Sequence, residues 1–319
     1  MHKIPVGRTI SHAYGFAFKR YWTGLGIVWF PMLVLGALVF CLLPHMFEDY
    51  EGFFTNAMHL HAHLGQRFVI DENFVWEMQL LQYMLCFVFV VIGVGITKEV
   101  LGLRRGPRFI YAGIGAAELR AIACYFLLIV LTEVVFVAIV VFGAIFAMAI
   151  ASAYGLINPH DHLQDAVHQW TVIWAIASAC LVAVCVWIYV IVRLGYFLIP
   201  VAVAERRIGL ERSWQLTRGN VLRISLIWIA TALPLLIVQW LAMAALFVPL
   251  IIRVIARHQS HPDIAQALSD ISHSYSNYIG AYLLLGLVIA PIFNGLWRAP
   301  AAFAYRSLVP LAAPANASA

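Results

Sequence analysis

Arg193 is the only charged residue between Thr171 and Ala204, a run of 34 residues. A cation near the bilayer centre costs about 2.5–3.5 kcal/mol on insertion scales, so it must face a bundle interior or snorkel to the surface. Lys98 and Arg298 stand near the ends of two other apolar runs. Converging near one leaflet, the three would suit a lipid phosphate, to which arginine offers forked hydrogen bonds. The alternative is three long side chains snorkelling separately to headgroups. Glu133 is the only acid inside an apolar run, 13 residues in from its start by this reading. It is either a proton-coupling group and partner of Arg193, or a protonated carboxyl bonded to backbone or to a hydroxyl such as Thr132.

Two histidine groups invite a metal reading. His59 and His63 are spaced i, i+4, and His160 and His162 flank Asp161. Imidazoles with a nearby carboxylate can hold zinc or copper. No HExxH and no cysteine spacing accompanies them, so they read as polar loop histidines and no metal is expected. Searches for P-loop, nucleophile-elbow and dinucleotide motifs return nothing. Neither a cofactor nor enzymatic activity is expected.

The elements that must position these residues follow from composition. The chain is 63% hydrophobic and 11% charged, with a mean hydropathy of +0.89. Soluble domains carry roughly twice that charge, so this is an all-α polytopic membrane bundle. A roughly 30 Å hydrocarbon core needs about 20 apolar residues per helix. Six runs qualify: Trp22 to Leu43, Met78 to Thr97, Ala121 to Ile150, Trp170 to Val192, Ile224 to Ile252 and Tyr278 to Trp297. All five cysteines fall within such runs and read as small buried hydrophobes.

Seventeen of the twenty Lys and Arg residues lie on one side of these spans, and only Arg67, Arg253 and Arg257 on the other. The positive-inside rule makes both termini cytoplasmic. The basic charge therefore sets orientation, and nucleic acid is not an expected partner. Membrane lipids are, and a second membrane protein is the further candidate.

Ahead of span 1, Ile10, Tyr14, Ala17 and Tyr21 fall on one helical face. One hundred residues on, Ile110, Ile114, Ala117 and Ala121 repeat the spacing, and Leu210, Trp214, Thr217 and Val221 repeat it again. Each set would form a cytoplasmic amphipathic elbow helix in the headgroup layer. In the third, Arg206, Arg207, Arg212, Trp214, Arg218 and Arg223 would meet the membrane surface. The spacing predicts a three-fold repeat of elbow plus hairpin, with units 7–106, 107–206 and 207–305 in one integral domain, 1–305. The other reading is chance amphipathicity in basic loops. Residues 306–319 read as a disordered cytoplasmic tail.

One stretch is more specific. Arg193, Pro200, Glu205, Gly209, Leu210, Ser213, Trp214, Leu216, Thr217, Gly219 and Asn220 form a pattern over residues 190–230. It resembles the bacterial glycerophosphoryl diester phosphodiesterase membrane-domain family. In fused relatives the phosphodiesterase activity belongs to a separate soluble barrel, for which this chain has no room. The resemblance implies a helical domain of the bacterial cytoplasmic (inner) membrane and supplies no catalytic residue. The expected function is binding or transport of an anionic amphiphile, such as a phospholipid or polyprenyl phosphate. Arg193, Lys98 and Arg298 would hold the headgroup. The alternative is a structural or regulatory subunit that docks a partner membrane protein.

Overall fold

The computed structural model describes residues 3–62, 72–104, 111, 115–153, 166–257 and 264–309. These form nine helices: α1 (Val6–Lys19), α2 (Tyr21–Ala62), α3 (Glu72–Val100), α4 (Ala116–Ala153), α5 (Ala166–Gly195), α6 (Leu198–Ala204), α7 (Leu210–Thr217), α8 (Val221–Arg257) and α9 (Ile264–Leu308). Among the described residues there is no strand. Six segments are long and apolar enough to cross a membrane: Tyr21–Leu42, Trp76–Val100, Ala116–Gly143, Cys180–Ala204, Val221–Ala242 and Leu284–Leu308. The chain is thus an all-α, multi-pass integral membrane protein.

The helices overrun the expected spans. α2 continues to Ala62 and α3 starts at Glu72, so the first long connection is mostly helix where the sequence suggests a long loop. The same holds between α8 and α9, while α4 and α5 overrun their expected ends by three and four residues. Apolar length sets where a helix can cross a bilayer, but backbone hydrogen bonding carries it past that limit. At the other end of the chain, Arg306, Ser307 and Leu308 belong to α9, so the helix runs three residues into the expected tail.

Span four is not one helix. α5 stops at Gly195 and the chain restarts as α6, whose Leu198, Ile199, Pro200, Val201, Ala202 and Val203 are all buried. Pro200 is the third residue of α6, where its missing N–H falls among first-turn donors that have no intrahelical acceptor. α6 sits deep because two glycines let it. A Cβ on Gly93 of α3 would lie 2.6 Å from Ile199 Cδ1, and one on Gly209 would collide with Val201. Around α6 gathers one core cluster, with Ile4, Val90, Val94, Cys124, Phe197, Ile224 and Tyr305 buried in it. A second cluster joins α1, α2, α3 and α9 through Phe16, Ile27, Val28, Ile92, Ile96 and Ala299. α3 is central, half of its span being buried, whereas only 6% of the α4 span is.

The first elbow packs on protein rather than on lipid. α1 buries Thr9, Ala13, Phe16 and Ala17, largely against α9. Its Tyr14 hydroxyl donates to the Ala230 carbonyl of α8 at 3.0 Å. Tertiary burial displaces the headgroup layer because the facing helices offer shape and a carbonyl that lipid does not. Of the second elbow, Ile110 and Ile114 lie outside the described residues, and Ala117 and Ala121 are already part of α4.

Candidate functional site

Arg193 is 8% exposed and its guanidinium is occupied by the protein itself. NH1 donates to the Tyr189 hydroxyl at 2.9 Å and NH2 to the Trp214 carbonyl at 3.0 Å. Nε lies 3.4 Å from Thr217 Oγ1. The Trp214 ring stacks 3.8 Å from the guanidinium carbon, a cation–π contact. Beneath it, the Ser213 hydroxyl donates to the Arg193 carbonyl at 3.2 Å and the Thr217 hydroxyl to the Trp214 carbonyl at 3.0 Å, while Ser213 Oγ accepts from the Phe197 N–H that opens α6. The break between α5 and α6 thus has its exposed backbone groups met by α7. Arg193, Ser213, Trp214 and Thr217 form a clamp, which explains their joint presence in the sequence pattern without invoking a ligand.

Lys98 is likewise engaged. Its Nζ lies 2.6 Å from Glu118 Oε1, and the Glu118 carboxylate is fully buried. The Tyr111 hydroxyl also donates to Oε1, and the Gly115 N–H to Oε2 at 3.0 Å. Burial and the bond to Glu118 push the Tyr111 phenol above its ordinary range. Lys98 and Arg193 each stand in the last turn of their helix, α3 and α5. Arg193, Lys98 and Arg298 therefore have separate partners and share none among the described residues. The basic ring expected from the sequence does not form, because two of its three members are held by groups the spacing could not reveal.

Glu133 is exposed on α4. Thr132 bonds back to the Ile129 carbonyl at 2.9 Å rather than to Glu133. The expected Glu133–Arg193 pair is absent. His63, His160 and His162 lie outside the described residues, as does the side chain of His59. Among the described residues no three His, Cys, Asp or Glu side chains gather.

Arg298 is different. Its NH1 donates to the Tyr125 hydroxyl at 2.6 Å, but its Nε, buried from solvent, has no hydrogen-bond partner among the described residues. It lines a cavity of about 470 Å³ enclosed by α3, α4, α5, α6, α8 and α9. Trp187 and Tyr196 line the same cavity, and Trp187 Nε1 and Tyr196 Oη are likewise buried without partners among the described residues. Thr97 and Tyr125 add hydroxyls, and the remaining wall is apolar, with Ile191, Ile199 and Trp228 among it. Each unmet buried polar group costs about 1–3 kcal/mol. Three residues of this lining carry such a group, and with the guanidinium charge and the apolar wall they make a site suited to an acceptor-rich group with an apolar body.

No family model, curated protein or solved structure matches the chain. The cavity must therefore be read from its own chemistry.

The elbow arginines divide. Arg212 and Arg207 pair with Glu205, Arg212 at 3.0 Å, and the Tyr305 hydroxyl donates to the same carboxylate at 3.0 Å. Burial raises the Glu205 carboxyl, yet the bonds from Arg212, Tyr305 and Arg207 outweigh it and hold the group below its ordinary value. Arg223 donates to the Ile4 carbonyl at 2.9 Å, and Trp214 is spent on Arg193. Only Arg206 and Arg218 are exposed with no partner among the described residues, beside the exposed apolar Ile208 and Leu222. Sequence reasoning missed Glu118, Tyr125, Trp187 and Tyr196. The one signal for Trp187 and Tyr196 is polar-tipped aromatics in an otherwise aliphatic span.

Proposed function

We propose that the chain binds an anionic amphiphile through its headgroup in the cavity around Arg298. The supporting observation is that Arg298, Trp187 and Tyr196 all line it and each carries a buried polar atom, Nε, Nε1 and Oη, without a partner among the described residues. Two of these are obligate donors and the third can donate, so the complement is an oxygen-rich acceptor. The guanidinium charge favours a phosphate among such acceptors, and the apolar wall accommodates the first part of a lipid chain. Arg298 lies roughly 15 Å along α9 from its basic end, at the rise of an α-helix, which suits a headgroup drawn in from a leaflet. The reading is one of binding, with transfer of the lipid as its use, not of catalysis. The basic end would face the cytoplasm of a bacterial inner membrane, in keeping with the resemblance over residues 190–230.

Native mass spectrometry of gently solubilised protein tests this. Wild type should retain a phosphate-bearing lipid, and Arg298→Met and Tyr196→Phe should lose most of it while keeping wild-type thermal stability. Equal lipid occupancy in all three proteins would refute the reading.

A second reading, a subunit that docks a partner membrane protein, is favoured by α4. Few residues of its span are fully buried, and its exposed apolar face, with Phe126, Val134 and Val137, carries the exposed carboxyl of Glu133. A partner helix offering a donor or cation to that carboxyl would fit there. A stoichiometric companion that co-purifies with wild type and is lost in Glu133→Leu would support it; no such difference would remove it.

A further inference from the structure

A second cavity, of about 960 Å³, opens at the basic end of the bundle, between α1 and the C-terminal turns of α9. Five cations line it, Lys3, Arg8, Lys19, Arg20 and Arg306, together with His12, and no carboxylate does. Arg20 shares Glu99 with Arg104 at 3.6 Å; for Lys3, Arg8, Lys19 and Arg306 no acid partner exists among the described residues. Arg8, His12, Gly15 and Lys19 fall on one face of α1, the face left over when Thr9, Ala13, Phe16 and Ala17 are buried. Like charges gathered this way repel one another and lower the stability of the empty groove. Positive charge needed only for orientation would not have to be concentrated between two helices.

We propose that this groove binds an anion carrying two or more phosphate groups. A single phosphate would leave most of the five cations unmatched. Arg8 and Lys19 are eleven residues apart, about 16 Å along the helix, beyond the reach of one phosphate. The floor is open for such a ligand. A Cβ on Gly15 would meet nothing within 4 Å, and Phe303, paired with the His12 ring at 5.4 Å, forms an apolar side wall. The ligand is either a soluble polyphosphate or the headgroup of a diphosphate-bearing lipid at the membrane surface. Both present the same chemistry to Arg8 and Arg306.

The test uses the full chain in nanodiscs of zwitterionic phosphatidylcholine, titrated with inorganic tripolyphosphate by calorimetry, and in parallel in nanodiscs containing cardiolipin, with α1 protection followed by hydrogen exchange. Three variants accompany wild type: Arg8→Gln, Arg306→Gln and Gly15→Trp, which fills the groove from a position with free space around it. Wild type should bind tripolyphosphate, with Kd raised about tenfold by each charge variant and more by Gly15→Trp. That result supports a soluble ligand. Protection of α1 that appears only with cardiolipin and is lost in the variants supports the lipid source. Binding weakened by the charge variants but not by Gly15→Trp would mean a diffuse surface and overturn the proposal. Absence of both effects in wild type would overturn it as well.

Discussion

Replacing Arg193 with methionine separates a structural clamp from a ligand site. The substitution keeps the apolar stem and removes a guanidinium that makes hydrogen bonds at 2.9, 3.0 and 3.4 Å and stacks on Trp214 at 3.8 Å. Hydrogen bonds from a charged donor contribute about 1.5–3 kcal/mol each, and a desolvated cation–π contact about 2 kcal/mol. Against this stands the desolvation of the guanidinium, several kcal/mol, which the variant no longer bears. The Trp214 carbonyl keeps the Thr217 hydroxyl at 3.0 Å, so the polar group left wanting is the Tyr189 hydroxyl. The expected net loss is about 2–4 kcal/mol, a 30- to 1,000-fold shift in the folded ratio. Arg193→Lys should recover little, since an ammonium cannot fork between Tyr189 and Trp214 while lying flat on the indole. Equilibrium unfolding in mixed micelles reads the stability, and native mass spectrometry reads the lipid on the fraction that remains folded. Arg193→Met should lower the first and leave the second intact. Unchanged stability with loss of lipid would refute the clamp and return Arg193 to the ligand.

Two further outcomes follow from the ionic contacts. Lys98→Met should destabilise the protein by about 3 kcal/mol, because it strands the fully buried Glu118 carboxylate; adding Glu118→Gln should restore part of that, which the same unfolding assay would show as non-additivity. Glu205 gives a pH dependence. Its folded value is depressed below the ordinary 4.5, so its stabilisation is complete above about that pH and is lost as pH falls through the lower folded value. Thermal stability of wild type should therefore drop more steeply than that of Glu205→Gln between about pH 5 and pH 3; parallel curves would dismiss the contribution.

The spans were legible because a run of about 20 uncharged residues has few other fates. The α5–α6 break was not, because residues 194–204 are as apolar as the span before them and hydropathy is blind to a bend. Pro200 and Gly209 were visible, but their meaning depends on α3 and α7 lying within contact of α6, which no local window contains. The cations illustrate the same limit. Arg193 stands out as a cation that must face the interior or snorkel, yet two of its partners, Trp214 and Thr217, lie on α7, 21 and 24 residues further on. Lys98 reads as a headgroup cation, and its partner Glu118 is missed because a basic loop separates the two in the chain. Trp187, Tyr196 and Arg298 line one cavity only through the packing of six helices, so the sequence could offer Arg298 and two polar-tipped aromatics but not the cavity they share.

Ile4 is fully buried, its N–H donating to Asn220 Oδ1 at 3.2 Å and its carbonyl accepting from Arg223. These partners lie 216 and 219 residues further along the chain. At roughly 5–20 residues per second of synthesis, α1 waits about 10–40 s before the residues that hold it exist. During that interval its Thr9, Ala13 and Phe16 face has neither α8 nor α9 to cover it. The last hairpin to be made is thus the one that closes the bundle on its first element, and a nascent chain halted before α8 would still carry α1 as a loose basic helix at the membrane.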